Sequence, residues 1–225
     1  MADLTAQDFH RLRRTLGPVT ADKFITLFNA LDTLSSVDAS ILDALTASAS
    51  ELNQLDGSVL ADMTPGTGIS GGTGTICEHS VVKVGGLYKT TILVDLTGLN
   101  SGGADGDVIG KQTTANCHIG QITAAVNGTI FAGSVTCLET PAGGEPDIDL
   151  YSATVATGTE DVAITHADLG TEAALLTAAA DWAAGGVKVL SAYPAADTYL
   201  YLVASGGVTD DTYTAGIFQI ELWGK

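Results

Sequence analysis

Tyr88-Lys89-Thr90-Thr91-Ile92-Leu93-Val94-Asp95-Leu96 is the stretch from which the fold of this chain is read. Tyr88, Thr90, Ile92, Val94 and Leu96 fall on one side of an extended backbone and the intervening residues on the other, because successive side chains of a strand alternate. Downstream and upstream of it the same texture recurs at 76–84, 116–126, 129–138, 148–156, 186–193, 197–204 and 212–223. Turn clusters divide these segments, among them Gly102-Gly103-Ala104-Asp105-Gly106-Asp107, Gly143-Gly144 and Ser205-Gly206-Gly207. Asn127-Gly128 between two such segments predicts a hairpin. Glu172 to Ala184, rich in Ala and Leu and closed by Gly185-Gly186, predicts a single helix among the strands. Short strands without βαβ alternation predict an antiparallel β-sandwich of jelly-roll type over 76–225.

Composition agrees with that reading. The 225 residues are 45% hydrophobic but only 16% charged and 6% aromatic, with 27 glycines. Small residues and turn formers at this density suit many short strands. The formal charge of −17 opposes a nucleic acid or an anionic membrane as partner. That charge is unevenly spread. Residues 1–23 hold Arg11, Arg13, Arg14 and Lys23 against Asp3, Asp8 and Asp22, whereas the rest of the chain carries five basic and 23 acidic side chains. A weakly basic tip on an acidic body predicts that the tip docks and the body faces solvent. No targeting segment or membrane span is visible, so synthesis in the cytosol is expected. Three cysteines at irregular spacing do not make a disulfide framework.

Upstream of the strands the period changes. From Phe24 to Val59 the apolar residues recur at alternating steps of three and four: Phe24, Leu27, Leu31, Leu34, Ile41, Leu45, Leu52, Leu55 and Val59. Flanking Phe28, Ala30, Val37, Leu42, Ala44 and Ala49 widen the stripe, which predicts a stalk of three or more strands rather than two. Asp38 interrupts the seam at a core position, where a polar residue sets register. A helical hairpin packed on its own domain is the other reading of the same stripe. Leu4, Phe9, Leu12 and Leu16 outline a shorter amphipathic helix that ends at Gly17-Pro18. The expected organisation is an attachment segment over 1–18, a helical stalk over 19–60, a Gly/Thr-rich linker over 61–75 and a β-domain over 76–225.

Chemistry is sparse. Cys77-Glu78-His79 and Cys117-His118 hold zinc-type ligands, but without the spacing of a zinc knuckle. Asp105-Gly106-Asp107 and Asp147-Ile148-Asp149 offer oxygen ligands without the twelve-residue calcium loop. Acidic turn residues more often serve local hydrogen bonds. There is no Gly-x-Ser-x-Gly and no phosphate-cradling loop with its lysine. Neither a catalytic activity, a metal nor a cofactor is expected.

One short run adds a resemblance. Ala49-Ser50-Glu51-Leu52-Asn53-Gln54-Leu55-Asp56-Gly57 resembles a motif of virion fibre proteins of tailed bacteriophages, near the junction of a shaft and the domain that follows. The layout of the whole chain is similar to trimeric phage fibres and capsid decoration proteins. The resemblance implies a homotrimeric virion protein on the capsid surface, made in the host cytoplasm, with the major capsid protein as partner. Within that frame Leu4, Phe9, Arg11, Leu12, Arg13, Arg14 and Leu16 are the expected docking residues. The alternative is a short tail fibre whose β-domain binds host surface glycans, through Trp182, Trp223, Tyr193, Tyr199 or Tyr201.

Overall fold

The computed structural model describes residues 63–206 and 210–225, together with Arg14. From 63 on, the described residues lie within one compact unit, Gly57–Lys225. Its strands are β1 (Ile76–Val84), β2 (Leu87–Asp95), β3 (Gly120–Ile122), β4 (Ile130–Ala142), β5 (Ile148–Ala153), β6 (Glu172–Leu176), β7 (Val187–Val189), β8 (Thr198–Ala204) and β9 (Ala215–Gly224). They form two antiparallel sheets, in the orders β1-β2-β9-β4-β7 and β3-β8-β5-β6. The protein is mainly β and sandwich-like, as the alternation predicts.

The pairing is nested. Strand β2 pairs with β9, β3 with β8, β4 with β7 and β5 with β6. A single long antiparallel hairpin, doubled back at the β5–β6 connection, generates all four pairs. Two further pairings, β4 with β9 and β5 with β8, join neighbouring arms into sheets. Strand β1 extends the first sheet through the tight turn at Gly85-Gly86. There φ is +58° and +91°, the left-handed geometry that a two-residue hairpin needs and glycine takes without strain.

The core lies between the sheets. Ile92, Val94, Phe218, Ile220 and Leu222 come from one and Ile122, Leu150, Leu200 and Leu202 from the other, all essentially inaccessible. In β9 burial alternates residue by residue, and each large side chain so buried contributes about 1.5–3 kcal/mol. Trp182 closes one side, its ring edge-on to Phe218 at 5.4 Å and its indole N–H donating to the Ile148 carbonyl at 2.8 Å.

Three expectations are corrected. Residues 172–184 are not a helix: Glu172–Leu176 is β6, and the chain then loops out to bury Trp182. Helix propensity among these residues differs by well under 1 kcal/mol per position, less than the burial of Leu175, Leu176 and Trp182 supplies. Asn127-Gly128 is not a hairpin turn, because β3 and β4 belong to different sheets. It ends a one-turn helix, α2 (Ala124–Asn127), whose first turn is capped by the Thr123 hydroxyl. Of the segment expected as a strand at 116–126, only Gly120–Ile122 is one.

The Gly/Thr-rich stretch also differs from a free connector. Residues Thr67–Ser70 form a further one-turn helix, α1, and Ile69 is fully buried. The Gly66 and Gly68 amides donate to the carbonyls of His118 and Asn116 at 2.8 and 3.0 Å. Glycine recurs here because the backbones touch: a Cβ on Gly68 would lie 2.3 Å from the Cys117 sulfur.

Candidate functional site

Met63 divides two adjoining hollows at one end of the β-domain. On one side, about 310 Å³ of space is lined by Met63, Thr64, His118, Gln121, Thr123, Val126 and Tyr199. On the other, Met63, Thr64 and Pro65 face Cys77, Glu78 and His79. Strand β1 brings His79, and the run leading into β3 brings His118. The His118 ring packs on Tyr199 at 4.9 Å and on Tyr201 at 6.3 Å. Its buried Nδ1 has no hydrogen-bond partner. Burial, and secondly the neighbouring His79, hold His118 below the ordinary histidine range, so the ring is neutral at pH 7.

His79 bonds through Nε2 to the Ile119 carbonyl and approaches the Cys77 sulfur at 3.8 Å. Cys77 has its thiol pushed up to about 12 by burial. It is a protonated, weakly polar packing group rather than a nucleophile. Cys117, the other half of the expected zinc set, turns away and donates to the Thr114 carbonyl at 3.1 Å. Among the described residues no group of three or more His, Cys, Asp or Glu side chains is arranged to hold a metal ion.

The acidic turns gather elsewhere. Asp107 accepts from the Ala104 amide at 2.7 Å, Asp161 from Gly103 at 2.7 Å, Glu160 from Thr113 at 2.7 Å and Asp149 from Ala178 at 2.6 Å. Asp105 accepts from Gly206 at 3.2 Å. These carboxylates staple loops by taking backbone N–H groups that would otherwise be unpaired. Asp147 differs, since its buried Oδ1 is unpartnered. Burial first and the Asp149 charge second push its carboxyl up.

Comparison with protein-family models, with curated proteins and with solved structures returns no match. The site therefore rests on geometry alone. Of the expected docking residues only Arg14 is described, helical and exposed; the others, and the stalk positions from Phe24 to Leu55, lie outside the described residues. Among the aromatic candidates for a glycan surface, Trp182 and Tyr201 are buried, Trp223 and Tyr199 half-buried and Tyr193 exposed. Sequence reading flagged His79 and His118 but missed Tyr199 as the neighbour of His118, and Glu160 and Asp161 as loop staples. Each acts on a partner 47 to 81 residues away in sequence, so no local pattern marks it. Among the described residues no helix is long and apolar enough to cross a membrane.

Proposed function

We propose that this chain is a structural virion protein of a tailed phage, a homotrimer that docks on the capsid lattice through its N-terminal region and displays a jelly-roll domain. The observation that carries the reading is the nested pairing β2·β9, β3·β8, β4·β7 and β5·β6. A hairpin nested in this order supports a jelly roll, an architecture of viral capsid and lectin domains. Fold alone does not assign function. The fibre-like run Ala49 to Gly57, the three-four stripe over Phe24 to Leu55 and the charge of −17 supply the direction. A highly acidic body stays soluble when crowded on a particle. Buried aromatics and loop-stapling carboxylates suit display better than turnover.

Two measurements test it. Native mass of the purified full chain is expected to give three copies, and one copy at micromolar concentration overturns the trimer. Particles lacking the protein are then mixed with the full chain or with a chain lacking residues 1–18, and sedimented. The full chain is expected to co-sediment. The truncated chain loses the apolar set Leu4, Phe9, Leu12 and Leu16 with its arginines, a loss that avidity multiplies over three copies. Equal binding by both overturns docking through that segment.

A further inference from the structure

The hollow over His118 is walled from several sides. Gln121 of β3 and Tyr199 of β8 are direct partners across the strands. Their side chains therefore share the face of the four-stranded sheet opposite to the one that buries Ile122 and Leu200. Thr123 and Val126 enter with α2 and its cap, and Met63 with Thr64 from the chain before α1. The space of about 310 Å³ lies at the lower end of ligand pockets, which run from about 300 to 1,000 Å³.

Its lining is mixed and carries no charge. Seventeen acidic side chains lie from residue 63 on, yet no Asp, Glu, Lys or Arg is among the described residues that line it. His118 is neutral at pH 7 and adds a polar ring rather than a charge. The side chains of Thr64, Gln121 and Tyr199 have no hydrogen-bond partner among the described residues. By contrast, Asp107, Asp149, Glu160 and Asp161 each hold a backbone amide. The buried Nδ1 of His118 is unpartnered as well, a cost that an apolar residue packed on Tyr199 and Tyr201 would not carry. Met63, Val126 and the Tyr199 ring supply the apolar part of the wall.

We propose that this hollow binds one ring of a neutral carbohydrate. Such a ring has an apolar face of C–H groups and a rim of hydroxyls, each both donor and acceptor. The face meets Tyr199, Met63 and Val126, and the rim meets the Gln121 amide, the Thr64 hydroxyl and the His118 ring. A wholly apolar ligand would strip water from these polar groups without replacing it. An anion finds no cation here, and a cation no carboxylate. A nucleic acid base arrives with phosphates that the acidic body repels. The site goes beyond capsid docking and stands or falls apart from it.

The test is saturation-transfer NMR on the full chain with glucose, galactose, mannose and N-acetylglucosamine at millimolar concentration. Glucuronic acid serves as the anionic control and adenosine as the base control. At least one neutral sugar is expected to receive saturation, and both controls far less. Thr64→Trp fills the hollow from an exposed position, so it should abolish the signal while circular dichroism stays unchanged. Gln121→Met keeps the length of the side chain but removes its amide, and should weaken binding by about fivefold to tenfold, the worth of one hydrogen bond. The methyl glycoside of the sugar that binds then separates two sources: retained binding supports a ring at the end of a glycan, and lost binding supports the free sugar. Saturation of no neutral sugar overturns the proposal. So does a signal that survives Thr64→Trp, an affinity unchanged in Gln121→Met, or a control that binds as well as the sugars.

Discussion

Asn127 donates its side-chain amide to the Thr90 hydroxyl at 2.9 Å, and both residues are fully buried. The same Asn127 accepts the Thr123 amide through Oδ1 at 2.9 Å. One side chain thus locks α2, the crossing between the sheets, onto the inner face of β2. The bond also explains a threonine in the middle of an otherwise apolar strand face.

Replacing Asn127 by Ala leaves the Thr90 hydroxyl and the Thr123 N–H buried without their partner. Each such orphan costs about 1–3 kcal/mol, so Asn127→Ala is expected to lower stability by roughly 2–6 kcal/mol. Thr90→Val leaves the Asn127 amide with only the weakly accepting Met63 sulfur, at 3.4 Å. Because the two share one bond, the double variant should cost less than the sum of the singles, by about 0.5–3 kcal/mol in a denaturation cycle. Additive losses would show that the bond contributes nothing.

Gly68 sits against backbone as well as sulfur, with the Ala115 carbonyl 2.7 Å from where its Cβ would be. Gly68→Ala is expected to cost about 1–3 kcal/mol by overpacking. In the native chain the 65–72 segment should resist limited proteolysis, and the variant should be cut there first. Ready cleavage of the native chain between 65 and 72 contradicts the packing.

Four carboxylates, Asp107, Asp147, Asp149 and Glu160, are pushed up from 3.8 (Asp) or 4.5 (Glu), in each case chiefly by burial. The folded protein holds their protons more tightly than the unfolded chain does. Their contribution is complete below those unfolded values and is lost as pH rises through the raised folded ones. His118 acts oppositely: held below 6.5, it favours the fold above that value and loses its contribution as pH falls through the window beneath it. With four groups against one, the melting temperature is expected to be higher at pH 5 than at pH 8, at about 2–4 °C per kcal/mol. A melting temperature that falls on acidification over this range refutes the balance.

Cys77 and Cys117 have thiols pushed up to about 12 by burial, and burial pushes Cys137 up as well. At pH 8 only about one molecule in 10⁴ carries either of the first two as thiolate. A thiol reagent should therefore find almost no fast-reacting cysteine in the native protein and all three after unfolding. A rapid native equivalent at Cys77 would mean that the hollow beside Met63 is open to the reagent.

The alternation at Tyr88 to Leu96 was enough to place β2, and similar texture placed β1, β8 and β9 within a few residues. Strands β2 and β9 are long and half-buried, so one face must be apolar at every second position whatever their partners are. Of the short ones, β3, β5 and β7 lie inside the strands expected at 116–126, 148–156 and 186–193, and only β6 escaped. Strand β6 reads as helix because Ala and Leu carry helix propensity, and only its seat beside β5, with Trp182 over Ile148, makes the extended form win. Glu160 and Asp161 carry no local mark, because the amides they hold, of Thr113 and Gly103, lie 47 and 58 residues away in sequence.

By itself, then, the sequence determined the strand-rich class and the acidic body, since each follows from residue types and their local order. Tertiary structure alone decided that Tyr88 lies opposite Gly224 and that β3 and β4 part into different sheets. It also decided that the Gly66–Gly72 run lies packed rather than free. Those outcomes depend on which buried surfaces fit between segments far apart in the chain, and close packing is a property of the pair rather than of either segment.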